Sequence, residues 1–247
     1  MHNAVINTLL NHRSIRKFKP QPLAEEQIQL LVKCAQAAST SSYTQSFSII
    51  GVEDAEIKKQ LREISGDQPY VEECGYFFVF VADQYRNKQI GEQNDADTSV
   101  LDTTQRLTVA LGDAAFAAQN MAVAAESMGL GICYIGSIQR DVERTSQILQ
   151  LPDHTFPVFG LAVGYPDQEP EKKPRLPLEN IFHRNVYSRT TNEEALKQYD
   201  QQVANYYQTR TGGHRNETWT SQIAQGLSVP PRLGLKSFLE KQHLGRR

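Results

Sequence analysis

The chain has 247 residues, of which 39% are hydrophobic and 22% are charged. This balance is typical of a globular protein rather than a disordered one, and the length allows one large domain, or two at most. The formal net charge of −2 gives no long-range attraction to nucleic acid or to an anionic membrane, so any anion site must be local.

Residues 1–18 lack the apolar core and the small-residue cleavage site of a signal peptide. No apolar run approaches the roughly 20 residues that span a bilayer, because Gln119 and Asn120 interrupt the longest one. We therefore expect a cytoplasmic protein.

The cysteines and histidines predict no metal site. Cys34, Cys74 and Cys133 are scattered and form no CxxC, and the chain has no HExxH and no close Cys/His grouping. Neither a zinc ribbon nor a dithiol redox site is therefore encoded. We expect three free thiols in a reducing compartment.

The first half of the chain alternates helices with strands. Hydrophobic spacing predicts helices over 4–11 and 24–38, a strand over 46–52, and then a helix that Asp54 caps. Residues 76–82 are apolar throughout, as expected for a strand covered on both faces. The polar segment 83–103 has no clear period, and we expect a surface excursion there.

A long helix is predicted over 104–128. Its residues are apolar or small nearly all round, so it must be buried on most sides, either across a large domain or against a second subunit. Gly129 and Gly131 are expected to end it. A strand over 132–136, a helix over 141–150 and a strand over 157–165 complete the predicted body.

The composition changes after Pro166, where the chain becomes polar and punctuated by prolines. Helices are predicted over 192–208, 217–227 and 233–242, but they are too thinly apolar to form a core of their own. We therefore expect them to pack on the body or on a partner chain. Because no G-x-G-x-x-G or Walker A sequence is present, a doubly wound nucleotide-binding fold is excluded, and α/β and α+β both remain.

Four local segments carry groups suited to binding. They are the basic turn 12–16, the hydroxyl-rich loop 39–45, the glycine-containing strand 129–137 and the basic, proline-bounded segment 172–177. Arginine forks suit phosphates and planar carbonyl edges, and hydroxyls suit polar ligands. Taken alone, each also has an explanation without a ligand: a solvated turn, a helix-ending loop, a core strand and a basic linker.

Together, the order and the residues of these segments resemble the sequence motifs of the oxygen-insensitive nitroreductase and NADPH–flavin oxidoreductase family. The segments are HRSIRKF (12–18), STSSYTQ (39–45), GDQPYV (66–71), ESMGLGICYIGS (126–137), FGLAVGYP (159–166) and KPRLP (173–177), and in the tail YDQQVANYYQTR (199–210) and ETW (217–219). Each segment alone is weak evidence for the family, whereas the whole set in this order is specific for it and covers nearly the whole chain.

The resemblance implies an α+β fold, in which helices wrap a central, mainly antiparallel sheet, and an intertwined homodimer. Residues 1–247 would form a single FMN domain, with a C-terminal helical extension over 190–247 that packs on the body or on the partner subunit. Helix 104–128 would form the subunit interface. One FMN would lie in each of two clefts at that interface.

The resemblance also assigns residues to the cofactors, position by position. Those expected to contact FMN are His12, Arg13, Ser14, Ile15, Arg16, Gln68, Tyr134, Ile135, Gly136, Ser137, Lys173 and Arg175. Those expected to reach the FMN of the other subunit are Ser39, Thr40, Ser41 and Ser42. Arg210 and Arg215 would bind the 2′-phosphate of NADPH, and Arg232 would border the pocket.

Three places in the chain depart from the family pattern, and the acidic Asp67 before Gln68 is the smallest of these departures. Ser137 stands where the family usually has glycine after YIG, and we expect its bulk near the flavin ring to alter the range of acceptors. The residues before Arg232 do not match well.

The implied activity is that of an FMN-dependent oxidoreductase. Hydride passes from NADPH, or NADH, to FMN and then to a small acceptor, which predicts ping-pong kinetics. No side chain is assigned as a catalytic acid, base or nucleophile, because the protein supplies placement and electrostatics. The motifs concern the cofactor, so nitroaromatics, quinones, free flavin, disulfides and peroxide all remain open as acceptors.

An alternative of a different class is a non-catalytic module that binds anions or RNA through its basic clusters. The net charge of −2 and the lack of an aromatic and basic platform disfavour it.

Overall fold

The computed structural model describes residues 2–190, 192–229 and 234–247. They form two compact units, Met1–Glu169 with Arg232–Arg247, and Pro170–Pro231. The expectation of a single domain over 1–247 with an extension over 190–247 stays a prediction.

A four-stranded sheet lies at the centre of the first unit. Its strands are β1 (Phe47–Val52), β2 (Tyr76–Asp83), β3 (Gly131–Ile135) and β4 (Thr155–Gly164), in the order β1-β2-β4-β3. All three strand pairs are antiparallel, with Ile49 opposite Phe80 and Cys133 opposite Ala162. The predicted antiparallel sheet is confirmed.

Both faces of β2 are covered, which explains its uninterrupted apolar sequence. Because successive residues of a strand point to opposite faces, Phe78 and Phe80 enter one core cluster and Phe77 and Val79 enter another. The first cluster includes residues of the long helix, and the second includes Leu61.

Eight α-helices of the first unit surround the sheet within the described residues. They are α1 (Ala4–Leu10), α2 (Glu25–Gln36), α3 (Ala55–Ile64), α4 (Tyr70–Glu73), α5 (Tyr85–Gln93), α6 (Thr104–Ser127), α7 (Val142–Ile148) and α10 (Gly234–Lys241). The predicted cap of α3 is confirmed, because the Asp54 carboxylate accepts a hydrogen bond from the Ile57 N–H at 2.9 Å. Gly129 adopts φ +76° after α6, as a helix-ending glycine does.

The segment 83–103 lies largely at the surface as expected, but its first half forms α5, a helix that the sequence did not predict. This helix has no buried residue, so its sequence shows no hydrophobic periodicity from which a helix could be predicted. Polar contacts hold its beginning instead: the Arg86 N–H donates to Asp83 at 3.2 Å, and the Asn87 amide donates to the Ser46 hydroxyl at 3.1 Å.

Helix α6 packs one face against the sheet and α2. Its buried residues are Leu107, Ala110, Asp113, Ala114, Ala117, Ala118, Met121, Ala122 and Ala125. By length and composition alone α6 would also qualify as a membrane span, which corrects the expectation that no apolar run approaches that length. Its place in the core is a sufficient reason for that composition.

The C-terminal segment and the second unit have separate apolar clusters. In the first unit, Phe238 of α10 packs against Phe156, with ring centroids 6.3 Å apart. The second unit contains α8 (Glu193–Arg210) and α9 (Trp219–Leu227). Tyr199, Val203, Tyr206 and Tyr207 of α8 cluster there with Leu176 and Trp219. The expectation that these helices form no core of their own is wrong, because paired aromatic rings supply large apolar area from few residues.

Candidate functional site

The segment 12–18 lies alongside β3, which joins two of the predicted binding segments. Ser14 forms a parallel bridge with Ile132, and the Ile15 N–H donates to the Ile132 carbonyl at 2.9 Å. Ile15 itself is buried. The alternation of polar and apolar residues in this segment therefore places Ile15 in the core and its neighbours on the outer side.

The glycines around β3 have different roles. A Cβ on Gly131 would stand 2.5 Å from the Ile15 Cγ1 atom, so glycine is required there for close packing. Gly136 differs, because a Cβ built on it would meet no atom within 4 Å. The space for a flat ligand beside the main chain is therefore at Gly136, at the end of β3, and not at Gly131; Gly129, which precedes the strand, is also open.

Gln68 and Ser137, both predicted to contact FMN, are hydrogen-bonded to each other. The Gln68 Nε2 donates to the Ser137 Oγ at 3.1 Å, and the Tyr70 hydroxyl donates to the Gln68 Oε1 at 2.5 Å. The side-chain amide is thus fixed by a partner on each of its polar atoms. We call these residues, with Arg16, the Gln68 cluster.

Arg16 joins this cluster through Tyr70. Burial raises the pKa of the Tyr70 phenol and of the Cys133 thiol, whereas the nearby Arg16 guanidinium opposes that rise. The backbone path from Ile15 to Phe18, both buried, leaves Arg16 exposed between them. A fixed positive charge therefore lies beside the hydroxyls and amide of the Gln68 cluster.

His12 and Arg13 contact acidic groups of the same unit. The His12 Nδ1 lies 2.7 Å from the Glu126 Oε1, and an Arg13 amino nitrogen lies 3.8 Å from the Glu169 Oε1. Arg13, Ile15 and Glu126 line a cavity of about 650 Å³. That volume lies within the usual range for small-molecule sites, although Gln68 and Ser137 do not line this cavity.

Tyr134 and Ile135 occupy the two faces of the end of β3. Ile135 is buried in the core, whereas 36% of Tyr134 is exposed. The Tyr134 ring packs edge-on against Phe159 with centroids 5.2 Å apart. Burial of the hydroxyl, and secondarily the Glu126 charge, raises the pKa of Tyr134, so this phenol stays protonated at neutral pH.

The serine-rich loop is anchored to α6 by a buried carboxylate. Asp113 accepts hydrogen bonds from the Ser41 N–H and the Ser46 N–H, each at 3.0 Å. Ser42 has φ 49°, within the left-handed region. Of the predicted contact residues, three are exposed (Ser39, Ser41 and Ser42) and Thr40 is half-buried. The hydroxyl groups of the loop are therefore accessible from solvent, whereas Asp113 fixes its backbone.

The second unit brings two of the predicted cationic residues to one aromatic ring. The Lys173 ammonium lies 5.2 Å from the centroid of the Tyr207 ring, and the Arg215 guanidinium lies 4.3 Å from it. Arg175 donates to the Lys173 carbonyl at 2.7 Å. Cation–π contacts of this kind hold side chains in place without neutralising their charge.

The predicted coenzyme residues of this unit are also engaged. Arg210 donates to the Tyr206 hydroxyl at 2.9 Å, and the Arg215 Nε lies 3.2 Å from a Glu217 carboxylate oxygen. Arg232 lies outside the described residues.

Models of two parts of one protein family match the chain. The nitroreductase family model matches residues 9–165, and the model of the nitroreductase family C-terminal domain matches residues 173–247. The first match alone covers more than half of the chain. The chain belongs to the nitroreductase family.

Relatives of this nitroreductase-family chain match it over almost its full length. The FMN reductase (NADPH) of Bacillus subtilis (strain 168) is 49% identical over 243 residues, which cover 97% of this chain and 98% of that relative. The solved NfrA1 nitroreductase from B. subtilis has a TM-score of 0.95 at 48% identity and covers 98% of this chain and 100% of its own. The NADPH:FMN oxidoreductase from Vibrio harveyi, solved in complex with NAD+, has a TM-score of 0.91 at 36% identity, covering 99% and 100%. The predicted nitroreductase fold is confirmed.

The donor set of this nitroreductase-family chain fits FMN chemically. Arg16 supplies a cation suited to a phosphate or a carbonyl edge, and Gln68 and Ser137 supply an amide and a hydroxyl suited to the polar edge of a ring. The open space at Gly136 leaves room for a flat group. The role of each individual residue stays a prediction.

Three residues with a part in this site were not singled out from the sequence. Tyr70 lies two positions after Gln68 in a segment already noted, so its proximity was the available sign. Asp113 is an acid among apolar residues of a buried helix, a pattern that usually indicates a hydrogen-bonding task. Glu126 is the partner of His12, but a single acid near the end of a helix gave no sign of that role in the sequence.

Proposed function

We propose that this chain is an FMN-dependent NADPH oxidoreductase that reduces small acceptors. The single observation that carries the proposal is its membership of the nitroreductase family over nearly its whole length, with relatives named FMN reductase (NADPH) and NADPH:FMN oxidoreductase. The hydrogen bond between Gln68 and Ser137, with the Arg16 guanidinium beside their neighbour Tyr70, supports it.

The residues of this chain hold and orient the cofactor. Arg16 supplies positive charge, the Gln68 amide supplies a directed hydrogen bond, and Gly136 gives the ring access to the main chain. When bound, FMN supplies the ability to accept hydride from a nicotinamide and deliver it to another molecule. Since Gln68 is already fixed by Ser137 and Tyr70, little ordering remains to be done on binding.

The cationic residues of the second unit are proposed to serve the phosphates. Lys173 and Arg175 contact FMN, and Arg210 and Arg215 contact the 2′-phosphate of NADPH. That phosphate is the only difference between NADPH and NADH, so a preference for NADPH must come from groups that touch it. The contacts of Arg210 and Arg215 with Tyr206 and Tyr207 support this role by holding both side chains in place.

We propose that the active form is a homodimer located in the cytoplasm. Val5, Leu9 and Leu10 of α1 and Phe116 of α6 are large apolar side chains that the first unit leaves exposed. Monomeric proteins rarely expose contiguous apolar surface of this kind. A second copy of the chain covering α1 and α6 would also bring the outward hydroxyls of the serine-rich loop to a neighbouring FMN.

The proposal is tested by purification followed by turnover. The purified protein is expected to carry about one FMN per chain, seen as flavin absorbance, and to oxidise NADPH in the presence of a nitroarene, a quinone or free FMN. Initial rates at several acceptor concentrations should give the parallel double-reciprocal lines of a ping-pong mechanism. A colourless protein that binds no added FMN would overturn the proposal. The rates with the different acceptors show which of the small molecules left open by the sequence is reduced fastest.

A further inference from the structure

Three side chains of metal-binding type meet at one place in the first unit. Asp102 lies just before α6, His154 just before β4 and His243 just after α10. One ligand atom from each lies within 4.8 Å of the other two. These positions are far apart in the sequence, so no local sequence motif predicts that they meet.

One of the three carries a buried polar atom with no partner among the described residues. His154 is 5% exposed, and its Nδ1 makes no hydrogen bond there. The nearest carboxylate oxygen, Oδ1 of Asp102, is 4.0 Å away, which is too far for a hydrogen bond. Two ligands about 2.1 Å from a tetrahedral Zn²⁺ stand ~3.4 Å apart, so this separation is of the size that an ion spans.

Backbone hydrogen bonds hold the three segments together independently of the side chains. The His154 N–H donates to the Gln242 carbonyl at 3.0 Å, and the Arg246 N–H donates to the Asp102 carbonyl at 2.7 Å. The two imidazole rings are stacked with centroids 5.1 Å apart. The ligand atoms are therefore brought together by the fold and need little rearrangement to share an ion.

The surroundings favour a cation. The cavity beside the cluster has a volume of about 490 Å³, and besides Asp102 its lining includes Asp97, Asp153 and Lys88. The Lys88 ammonium is paired with Glu92.

We propose that Asp102, His154 and His243 bind a divalent transition-metal ion of the Zn²⁺ type, fastening the C-terminal segment to the body. Two imidazoles and one carboxylate form a donor set that suits Zn²⁺, and three protein ligands leave a fourth position for water from the cavity. The prediction from sequence of no metal site rested on local spacing, which this arrangement does not use.

The test is a titration of ZnCl₂ into tag-free, EDTA-treated, FMN-loaded protein, followed by calorimetry. We expect saturable binding of one ion per chain and a rise in Tm that EDTA reverses, since an ion that binds only the folded state stabilises it. Added Co²⁺ should give the visible absorption of an ion held by protein ligands. Neither readout depends on enzymatic activity.

Variants decide whether these residues are the ligands. His243→Gln and Asp102→Asn, both at half-buried positions, should each weaken Zn²⁺ binding at least tenfold and abolish the rise in Tm. His2→Gln changes an exposed histidine outside the cluster and should leave both unchanged. Absence of saturable binding in the parent protein, or equal binding in all variants, overturns the proposal and leaves a stacked histidine pair bridged by water.

Discussion

Gln68 is held by a partner on each polar atom of its side chain, Ser137 on one and Tyr70 on the other. A glutamine side chain without partners loses rotamer freedom when it binds a ligand. The Gln68 side chain has already lost this freedom on folding, so ligand binding does not carry that entropic cost. Ser137 therefore has a role that the glycine usual in the family at this position does not offer, since it accepts the hydrogen bond that orients the amide.

Removing the Ser137 hydroxyl should weaken FMN binding. Ser137→Ala leaves the Gln68 amide without its acceptor, and a net hydrogen bond of about 0.5–1.5 kcal/mol corresponds to about a two- to tenfold increase in Kd. Tyr70→Phe should act in the same direction through the other end of the amide. Quenching of flavin fluorescence on titration into the apoprotein measures both.

Ser237→Ala, a change of the same size on α10, serves as the control and should leave the FMN Kd unchanged. Wild-type affinity in both Ser137→Ala and Tyr70→Phe would show that Gln68 does not hold the cofactor.

Arg215 is shared between Glu217 and the Tyr207 ring. If Arg215 binds the 2′-phosphate, Glu217 competes with that phosphate for the guanidinium. Glu217→Gln should then lower KM for NADPH by up to about fivefold, the range of an exposed ion pair, with KM for NADH unchanged. Arg215→Ala combined with Arg210→Ala should raise KM for NADPH selectively.

Steady-state rates with both coenzymes measure this preference. Glu194→Gln, which removes another exposed carboxylate of the same unit, is the matched control. Equal changes with NADPH and NADH in the double arginine variant would contradict the assignment, as would a parent enzyme that prefers NADH.

At the scale of elements, Asp113 links α6 to the serine-rich loop. Asp113→Ala leaves the Ser41 and Ser46 N–H groups without their acceptor. Hydrogen bonds to a charged group contribute about 1.5–3 kcal/mol, so we expect a loss of roughly 3 kcal/mol in the free energy of unfolding, measured by urea denaturation. Asp113→Asn keeps one acceptor oxygen and should lose less.

The matched control is Asp54→Ala, which removes a single exposed cap on α3 and should cost only about 1 kcal/mol. If Asp113→Ala costs no more than this control, the carboxylate does not anchor the loop.

The junction of α4 and β2 contains a thiol that makes stability depend on alkaline pH. Burial raises the pKa of Cys74 to about 11 from an ordinary value of 9.0. The unfolded chain thus ionises first as the pH rises, so the stabilisation is complete below pH 9 and disappears by about pH 11. Two pKa units correspond to roughly 3 kcal/mol.

Urea unfolding at pH 8 and at pH 10.5 tests this. Cys74→Ala should reduce the loss of stability between the two pH values, whereas Cys34→Ala, at a half-buried thiol, should not. An identical alkaline loss in Cys74→Ala and in the parent protein would assign the effect to other groups.

At the scale of the whole molecule, the exposed apolar residues of α1 and α6 predict self-association. Light scattering should give a mass of about twice the 27.9 kDa of the chain. Phe116→Glu places a charge in the proposed interface and should shift the protein toward the monomer, with loss of FMN. Ile90→Glu, the same kind of change at an exposed apolar residue of α5, should remain dimeric. An FMN-loaded monomer in the parent protein would contradict the dimer.

The helices and strands of the body were predictable because their causes are local. The apolar run of β2, the Asp54 cap of α3 and the small-residue composition of α6 each act within a few residues. Helix α5 was missed because it has no buried face, so its hydrophobic pattern carried no period. The small core of the second unit was missed because it depends on aromatic pairs from Tyr199 and Trp219, which come from different helices.

The sequence by itself determined the strands, most of the helices and, through its ordered motifs, the family and the cofactor class. Only the tertiary structure decided which side chains meet. It joined Gln68 to Ser137, Asp113 to the serine-rich loop, and Asp102 to two histidines distant in the chain. The reason is physical. Secondary structure follows from neighbouring residues, whereas a site forms where packed elements bring together residues that are distant in the sequence. The local periodicity of the sequence carries no information about such long-range contacts.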